Sequence, residues 1–402
     1  MKTEKLIASR YIHTLIAVFF ASGTIIAWSQ SDVSPSATAA AGSPLRGLTT
    51  AQLADFADGL ADFSEKESVK DGLGPIFNND SCAACHFKPA VGGSSAILET
   101  RFGRTVNGHF DPLSAEGGSL LQLFAINKAA QEVIPTDANV IAQRQTTPLF
   151  GLGLIEAIPD SAILEIAARS KPDGIFGRPS MVVDIVTGQT RVGRFGWKAQ
   201  QATLLAFSGD AYLNEIGITS RLFPQENAPN GNTDLLQKFD KVPDPEDVVD
   251  PATGKAGIDH FTDFMRFLAP LPVPALTDSA TVGSIVFATI GCANCHTPVM
   301  FTGANLIRAL DSKAVPLFSD LLLHDMGSLG DGIAQADAEP GEMRTSPLWG
   351  LRASGPYLHD GRASTPDDAI RAHDGEGKVP RDRFVQLSPA LRKTLLDYLN
   401  SL

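Results

Sequence analysis

Ile290-Gly291-Cys292-Ala293-Asn294-Cys295-His296-Thr297-Pro298 holds two cysteines separated by two residues and followed at once by a histidine. The pattern also occurs earlier, as Cys82-Ala83-Ala84-Cys85-His86, and the two copies use all 4 cysteines of the chain. C-x-x-C-H is the attachment signature of c-type haem. Two free thiols on a turn or helix start add to the porphyrin vinyl groups, and the adjoining imidazole is held against one face of the iron. Cys82, Cys85, Cys292 and Cys295 are therefore the expected covalent attachments of two haem c groups. His86 and His296 are the expected proximal ligands. A pair of disulfides, or zinc, is the competing reading, and neither accounts for the histidine that follows each motif.

Outward from the two motifs a second repeat runs in the same order. Arg144-Gln145-Thr146-Thr147-Pro148-Leu149-Phe150-Gly151-Leu152 is echoed by Arg344-Thr345-Ser346-Pro347-Leu348-Trp349-Gly350-Leu351. The haem motifs lie 210 residues apart and the proline segments 199 apart, which predicts a duplicated haem-binding unit. The fold expected is mainly α, with two cytochrome c-like haem domains and a small β excursion in the first. Residues 49–269 form the first domain and 275–402 the second, divided at the Pro-rich Ala269-Pro270-Leu271-Pro272-Val273-Pro274, which no regular helix crosses.

The chain has 402 residues, 43% hydrophobic and 19% charged, with a net charge of −12. That balance is globular, and it offers no basic footprint for nucleic acid. Acidity favours solubility and can select a basic redox partner. Lys2, Lys5 and Arg10 precede an apolar run from Leu15 to Trp28, too short for a membrane span and suited to a signal peptide over 1–29. Residues 30–48 read as a flexible linker. The expected location is the periplasm, with membrane attachment only if the leader is uncleaved.

Locally, Leu53, Phe56, Leu60 and Phe63 give Thr49–Phe63 a helical period, and Phe261–Leu268 is amphipathic. Ser180–Arg194 is β-prone with a turn at Gly188-Gln189, and 227–257 reads as a polar surface loop. Ser388 caps a helix over Leu391–Leu402. Phe77 and Phe287 each stand five residues before a motif, where a short helix packing on the haem edge would place them. Glu156, an acid inside the apolar Gly153–Ile158 run, is a candidate proton donor if burial raises its pKa, with Glu165 a weaker one. A helix-end or salt-bridged glutamate is the alternative.

Three further stretches carry a family likeness: Phe318-Ser319-Asp320-Leu321-Leu322-Leu323-His324-Asp325-Met326-Gly327, Arg344-Thr345-Ser346-Pro347-Leu348-Trp349 and Gly355-Pro356-Tyr357-Leu358-His359-Asp360-Gly361-Arg362. Together they resemble the bacterial di-haem cytochrome c peroxidases. Arg194–Lys198 and Gly209–Glu215 resemble the branch of di-haem oxidoreductases labelled peroxidase- or thiol-oxidoreductase-like. The likeness runs from about Gly72 to Leu402.

The resemblance implies several roles. Family peroxidases take a methionine fourteen residues beyond the histidine that matches His359, and here that position is His373. It implies bis-histidine ligation, His296 with His373, and a second haem that relays electrons. In the duplicated register, Pro159–Ile166 matches Pro366–His373, so Ile166 stands where a ligand would be. The first haem is then open, or ligated by His109, His260 or Met181. His109 answers to the removable histidine of the peroxidases. Trp197 matches their inter-haem tryptophan by type, and His324 and His359 match positions around the second haem. Ser354-Gly355-Pro356 falls where the family offers carbonyl oxygens to calcium.

The function expected is a periplasmic, peroxidase-like di-haem oxidoreductase with a reactive first haem. Its partners would be a small redox protein or quinol-linked donor, and peroxide or another small substrate. A non-enzymatic electron carrier, or an oxidant of an organic or protein substrate, is the alternative.

Overall fold

The computed structural model describes residues 40–402. The expected signal peptide, 1–29, and residues 30–39 of the expected linker lie outside them. The rest of that linker is not flexible but docked, with the Leu45 amide donating to the Phe267 oxygen at 2.7 Å and Leu45 and Leu48 packed on the core. The described residues belong to one compact unit.

Two helix pairs organise it. Thr50–Ser64 packs on Gly257–Phe267, and Asp278–Ile290 packs on Pro389–Leu399. Thr49 starts the first helix with a capping box: its hydroxyl accepts from the Gln52 amide, and the Gln52 side chain accepts from the Thr49 amide. Ser388 caps the last helix by accepting from the Leu391 amide.

Each pair crosses at a glycine. A Cβ on Gly59 would lie 2.4 Å from the His260 carbonyl oxygen, and one on Gly283 would lie 2.0 Å from that of Thr394. One turn beyond each glycine a phenylalanine meets the motif histidine, with ring centroids 6.0 Å apart for Phe63–His86 and 6.3 Å for Phe287–His296. The same crossing therefore delivers the same aromatic contact twice. Gly283→Ala is expected to force the helices apart and lower the unfolding free energy by about 1–3 kcal/mol, as overpacking does, read by denaturant unfolding of the haem-loaded protein.

The expected pairing of Phe77 with Phe287 does not hold. Phe77 is in the short strand Ile76–Phe77 and stacks on Phe124, so Phe63 takes that place in the first half. The β content also exceeds a small excursion. Leu98–Val106 is the centre of a four-stranded antiparallel sheet with His109–Asp111, Leu120–Leu121 and Val140–Gln145. The expected hairpin pairs Ser180–Val183 with Thr190–Gly193. Within 227–257, expected to be loop throughout, Asn232 caps a helix over Thr233–Phe239.

The largest hydrophobic core draws on both sides of Pro270–Pro274. Phe56, Phe261 and Phe264 share it with Met300, Leu317, Leu322 and Trp349. A smaller core joins Phe287, Phe318, Phe384 and Tyr398. No helix among the described residues is long and apolar enough to cross a membrane.

Candidate functional site: two cavities sharing a wall

Each C-x-x-C-H motif opens onto its own cavity. Cys82, Cys85 and His86 line one of about 180 Å³; Cys292, Cys295 and His296 line one of about 280 Å³. Both motifs fold as a single tight turn, Cys82–Cys85 and Cys292–Asn294, with each histidine amide donating to the first cysteine's carbonyl.

His86 Nδ1 lies 3.1 Å from the Gly93 oxygen, and His296 Nδ1 lies 3.0 Å from that of Phe318. A backbone acceptor on Nδ1 leaves Nε2 as the ligand nitrogen. Burial pushes both imidazoles down to about 4, so they are neutral near pH 7. The thiols of Cys82 and Cys292 are pushed up to about 12, again by burial.

The second cavity contains a further imidazole. His373, at the end of the helix Pro366–Ala372, also has Nδ1 against a carbonyl, 2.8 Å from Ala369, and burial lowers its pKa. His324 is fully enclosed between two carboxylates, with Nε2 3.0 Å from Asp320 and Nδ1 2.7 Å from Glu376. Their hydrogen bonds outweigh burial and raise its pKa. Its Nδ1 also lies 3.6 Å from Cys295 Sγ. His359, Ser354 and Pro356 line the same cavity, so the calcium position expected from the resemblance borders it. Arg344 is buried there with no carboxylate partner among the described residues, and burial lowers its pKa to about 10. Its hydrogen bonds go to the Gly196 and Thr345 carbonyl oxygens. A buried guanidinium without a counter-charge is poised for an anionic group. Paired thiols, outward Nε2 atoms and this cation fit haem and its acid side chains.

The first cavity differs. Among the described residues its only histidine is His86. His109 is not brought to it: the Asn107-Gly108 turn, with positive φ at both residues, throws His109 to an exposed hairpin end. His260 lies beside Asp62 at 3.9 Å, and Met181 is exposed on the second hairpin. Ile166 is buried in the core, on a helix that does not line the cavity. Glu156 is likewise absent from its walls; the carboxylate is taken up by Arg266 Nε at 3.0 Å and the Leu204 amide at 2.8 Å. That is the salt-bridged alternative.

Acids that the sequence reading did not single out are there instead. Glu99, Asp210 and Glu215 all line the first cavity. Arg101 holds Glu99 from two nitrogens, at 3.0 and 3.2 Å, and Asn78 donates to Glu215 at 2.7 Å. Glu99 and Glu215 hydrogen-bond each other. Burial, reinforced by the Glu99 carboxylate, pushes Glu215 up to about 8. Against the same burial penalty, Arg101 and Arg144 hold Glu99 below its usual range. The pair therefore carries one proton near neutral pH, on Glu215. Glu215 lay within the family-like Gly209–Glu215 stretch, the one signal that could have marked it.

Six residues line both cavities: Gln145, Thr146, Thr147, Gly196, Trp197 and Phe207. Trp197 is thus in the shared wall, its Nε1 donating to the Gln145 oxygen at 2.9 Å, and its ring edge-on to His359 at 6.3 Å.

No curated protein matches the chain in sequence. Among solved structures it is similar to hydrazine synthase from Kuenenia stuttgartiensis, with 15% identity, a TM-score of 0.42, and 95% of this chain and 100% of that one covered. It is also similar to a MauG-like protein associated with microbial copper homeostasis, with 14% identity, a TM-score of 0.40, and coverage of 94% and 95%. A family match spans residues 123–402, from beyond the first motif to the C-terminus. The chain belongs to the family described as "Di-haem oxidoreductase, putative peroxidase".

Proposed function

We propose that this oxidoreductase acts on peroxide at the first cavity and passes electrons through the second. The observation that carries the reading is the unequal equipment of the two cavities. His296 and His373 both leave Nε2 free in the second, while the first pairs one imidazole with a proton-sharing carboxyl pair. Two imidazoles saturate an iron and suit electron relay; a single one leaves a face for substrate. Bound haem iron supplies the peroxide-binding and redox chemistry.

The chain's own residues do the rest. Glu215 holds a proton at the first cavity and can give it to a leaving oxygen, acting as a general acid. Glu99 takes the opposite charge state, fixed by Arg101. Trp197, in the wall common to both cavities, is the side chain we assign to electron passage. The duplicated glycine crossings support reading residues 49–269 and 275–402 as two haem-binding halves, although they share a core. Covalent c-type attachment is completed outside the cytoplasm, which supports a periplasmic site and a small redox protein as electron donor.

The test is an EPR spectrum of the haem-loaded ferric protein before and after peroxide. A high-spin signal lost on peroxide, beside an unchanged low-spin signal, is the expected result. His373→Ala should convert the low-spin component and leave the other in place. Two low-spin signals indifferent to peroxide, before and after partial reduction, would leave an electron carrier.

A further inference from the structure

The hydrogen bond from Trp197 Nε1 to the Gln145 oxygen joins two segments distant in sequence, and one buried carboxylate grips both of them. Arg144, immediately before Gln145, donates from Nε to Asp331 Oδ2 at 2.8 Å. Lys198, immediately after Trp197, places Nζ 2.9 Å from Asp331 Oδ1. The side chains of Asp331 and Lys198 are fully buried and that of Arg144 nearly so. Asp331 is fixed in turn by the Ile333 amide, which donates to Oδ1 at 3.0 Å.

Both segments are held elsewhere as well. The Lys198 ammonium donates to the Glu339, Pro340 and Glu342 carbonyl oxygens. Arg344 donates from its amide to the Trp197 oxygen at 3.0 Å and from Nε to that of Gly196 at 2.8 Å. The Gln145 amide donates to the His359 oxygen at 2.6 Å. These bonds fix the two backbones separately. Asp331 is the group that ties the residue before Gln145 to the residue after Trp197, and so sets the distance between them.

Stability alone is a weak reason to bury two cations on one carboxylate. Desolvating three charges costs several kcal/mol each, and apolar replacements of such groups are often neutral or stabilising. Registry is the better use for so costly an arrangement. We infer that Asp331, through Arg144 and Lys198, is a positioning residue that fixes the Trp197 indole in the wall between the two cavities. The inference deepens the proposed function, because its consequence for electron passage rests on Trp197 carrying that step.

Two variants of the haem-loaded full chain test it. Asp331→Asn removes the clamp and leaves buried Lys198 without the carboxylate it touches and Arg144 with only Glu99, at 3.9 Å, so it is vulnerable to misfolding. Lys198→Met removes one grip, fills similar volume, and leaves Asp331 neutralised by Arg144. Ultraviolet resonance Raman reads the indole N–H hydrogen bond, with the Trp197 band defined by subtracting the Trp197→Phe spectrum. Electron passage between the haems is timed after rapid partial reduction. In either folded variant the Trp197 band should move to the weaker-bond position. Passage should slow by up to about 10²-fold, the scale of a 1 Å misplacement. A wild-type Trp197 band in folded Lys198→Met overturns the clamp, whatever the electron kinetics. If Trp197→Phe passes electrons at the wild-type rate while the band still shifts in Lys198→Met, the clamp stands and Trp197's proposed role falls.

Discussion

Cys292→Ser combined with Cys295→Ser should leave a chain that binds one covalent haem instead of two. The matching pair at Cys82 and Cys85 should do the same from the other side, and the fourfold variant should carry none. Serine keeps the size of the thiol and removes the nucleophile that adds to the vinyl group, so attachment is lost without a new steric clash. Haem content per chain, measured by alkaline pyridine spectra on denatured protein, gives the answer directly. The two half-loaded proteins should differ in spectrum. Loss at Cys292 and Cys295 should remove the low-spin component, because His296 and His373 line that cavity. Loss at Cys82 and Cys85 should remove the peroxide-sensitive one. Retention of two covalent haems by either double variant would refute the attachment assignment.

The legibility of this fold follows how local each constraint is. A C-x-x-C-H motif is complete within five residues, and both copies could be read without neighbours. The helix Thr50–Ser64 was readable because its cap and its apolar period sit in one short window. The four-stranded sheet was not, because Leu98–Val106 pairs with Val140–Gln145 and its buried residues do not alternate cleanly. Leu98, Glu99, Arg101, Arg144 and Gln145 on these strands line the first cavity instead of meeting water, which blurs the period-two signal. Phe77 misled for a related reason. Its spacing to Cys82 matched Phe287, but the contact that matters comes from Phe63 on a helix that the spacing did not include.

The site divides in the same way. His373 was reachable through the family likeness, and it lines the cavity of His296. Glu156 was chosen because an acid in an apolar run suggests burial. That carboxylate is instead bound by Arg266, more than a hundred residues away, and no local pattern reports that partner. Glu99 and Glu215 are brought together across a similar span of sequence, so their shared proton is a property of the fold. His109 was named only as a possible ligand by resemblance, and the hairpin it starts carries it away from the cavity, a consequence of strand pairing that the sequence does not report.

Glu215→Gln should lower the second-order rate of reaction with hydrogen peroxide by about 10²–10⁴-fold, the usual worth of a positioned general acid. Glutamine keeps the shape and the Asn78 contact while losing the transferable proton. Haem content and the low-spin signal should remain at wild-type values, because Glu215 lines only the first cavity. The pH profile separates this role from a packing effect. With its pKa raised to about 8 by burial and by Glu99, Glu215 is protonated below that pH and ionised above it. Wild-type reactivity should therefore hold through neutral pH and fall as the pH rises through about 8, and the Gln variant should lack that limb. Glu99→Gln removes the negative neighbour and frees Arg101 to face Glu215, and both changes favour the carboxylate. The limb should then move to lower pH. If Glu215→Gln keeps both the wild-type rate and the alkaline limb, the proton comes from another group. Asp210, the remaining acid in that cavity, would be the next to replace.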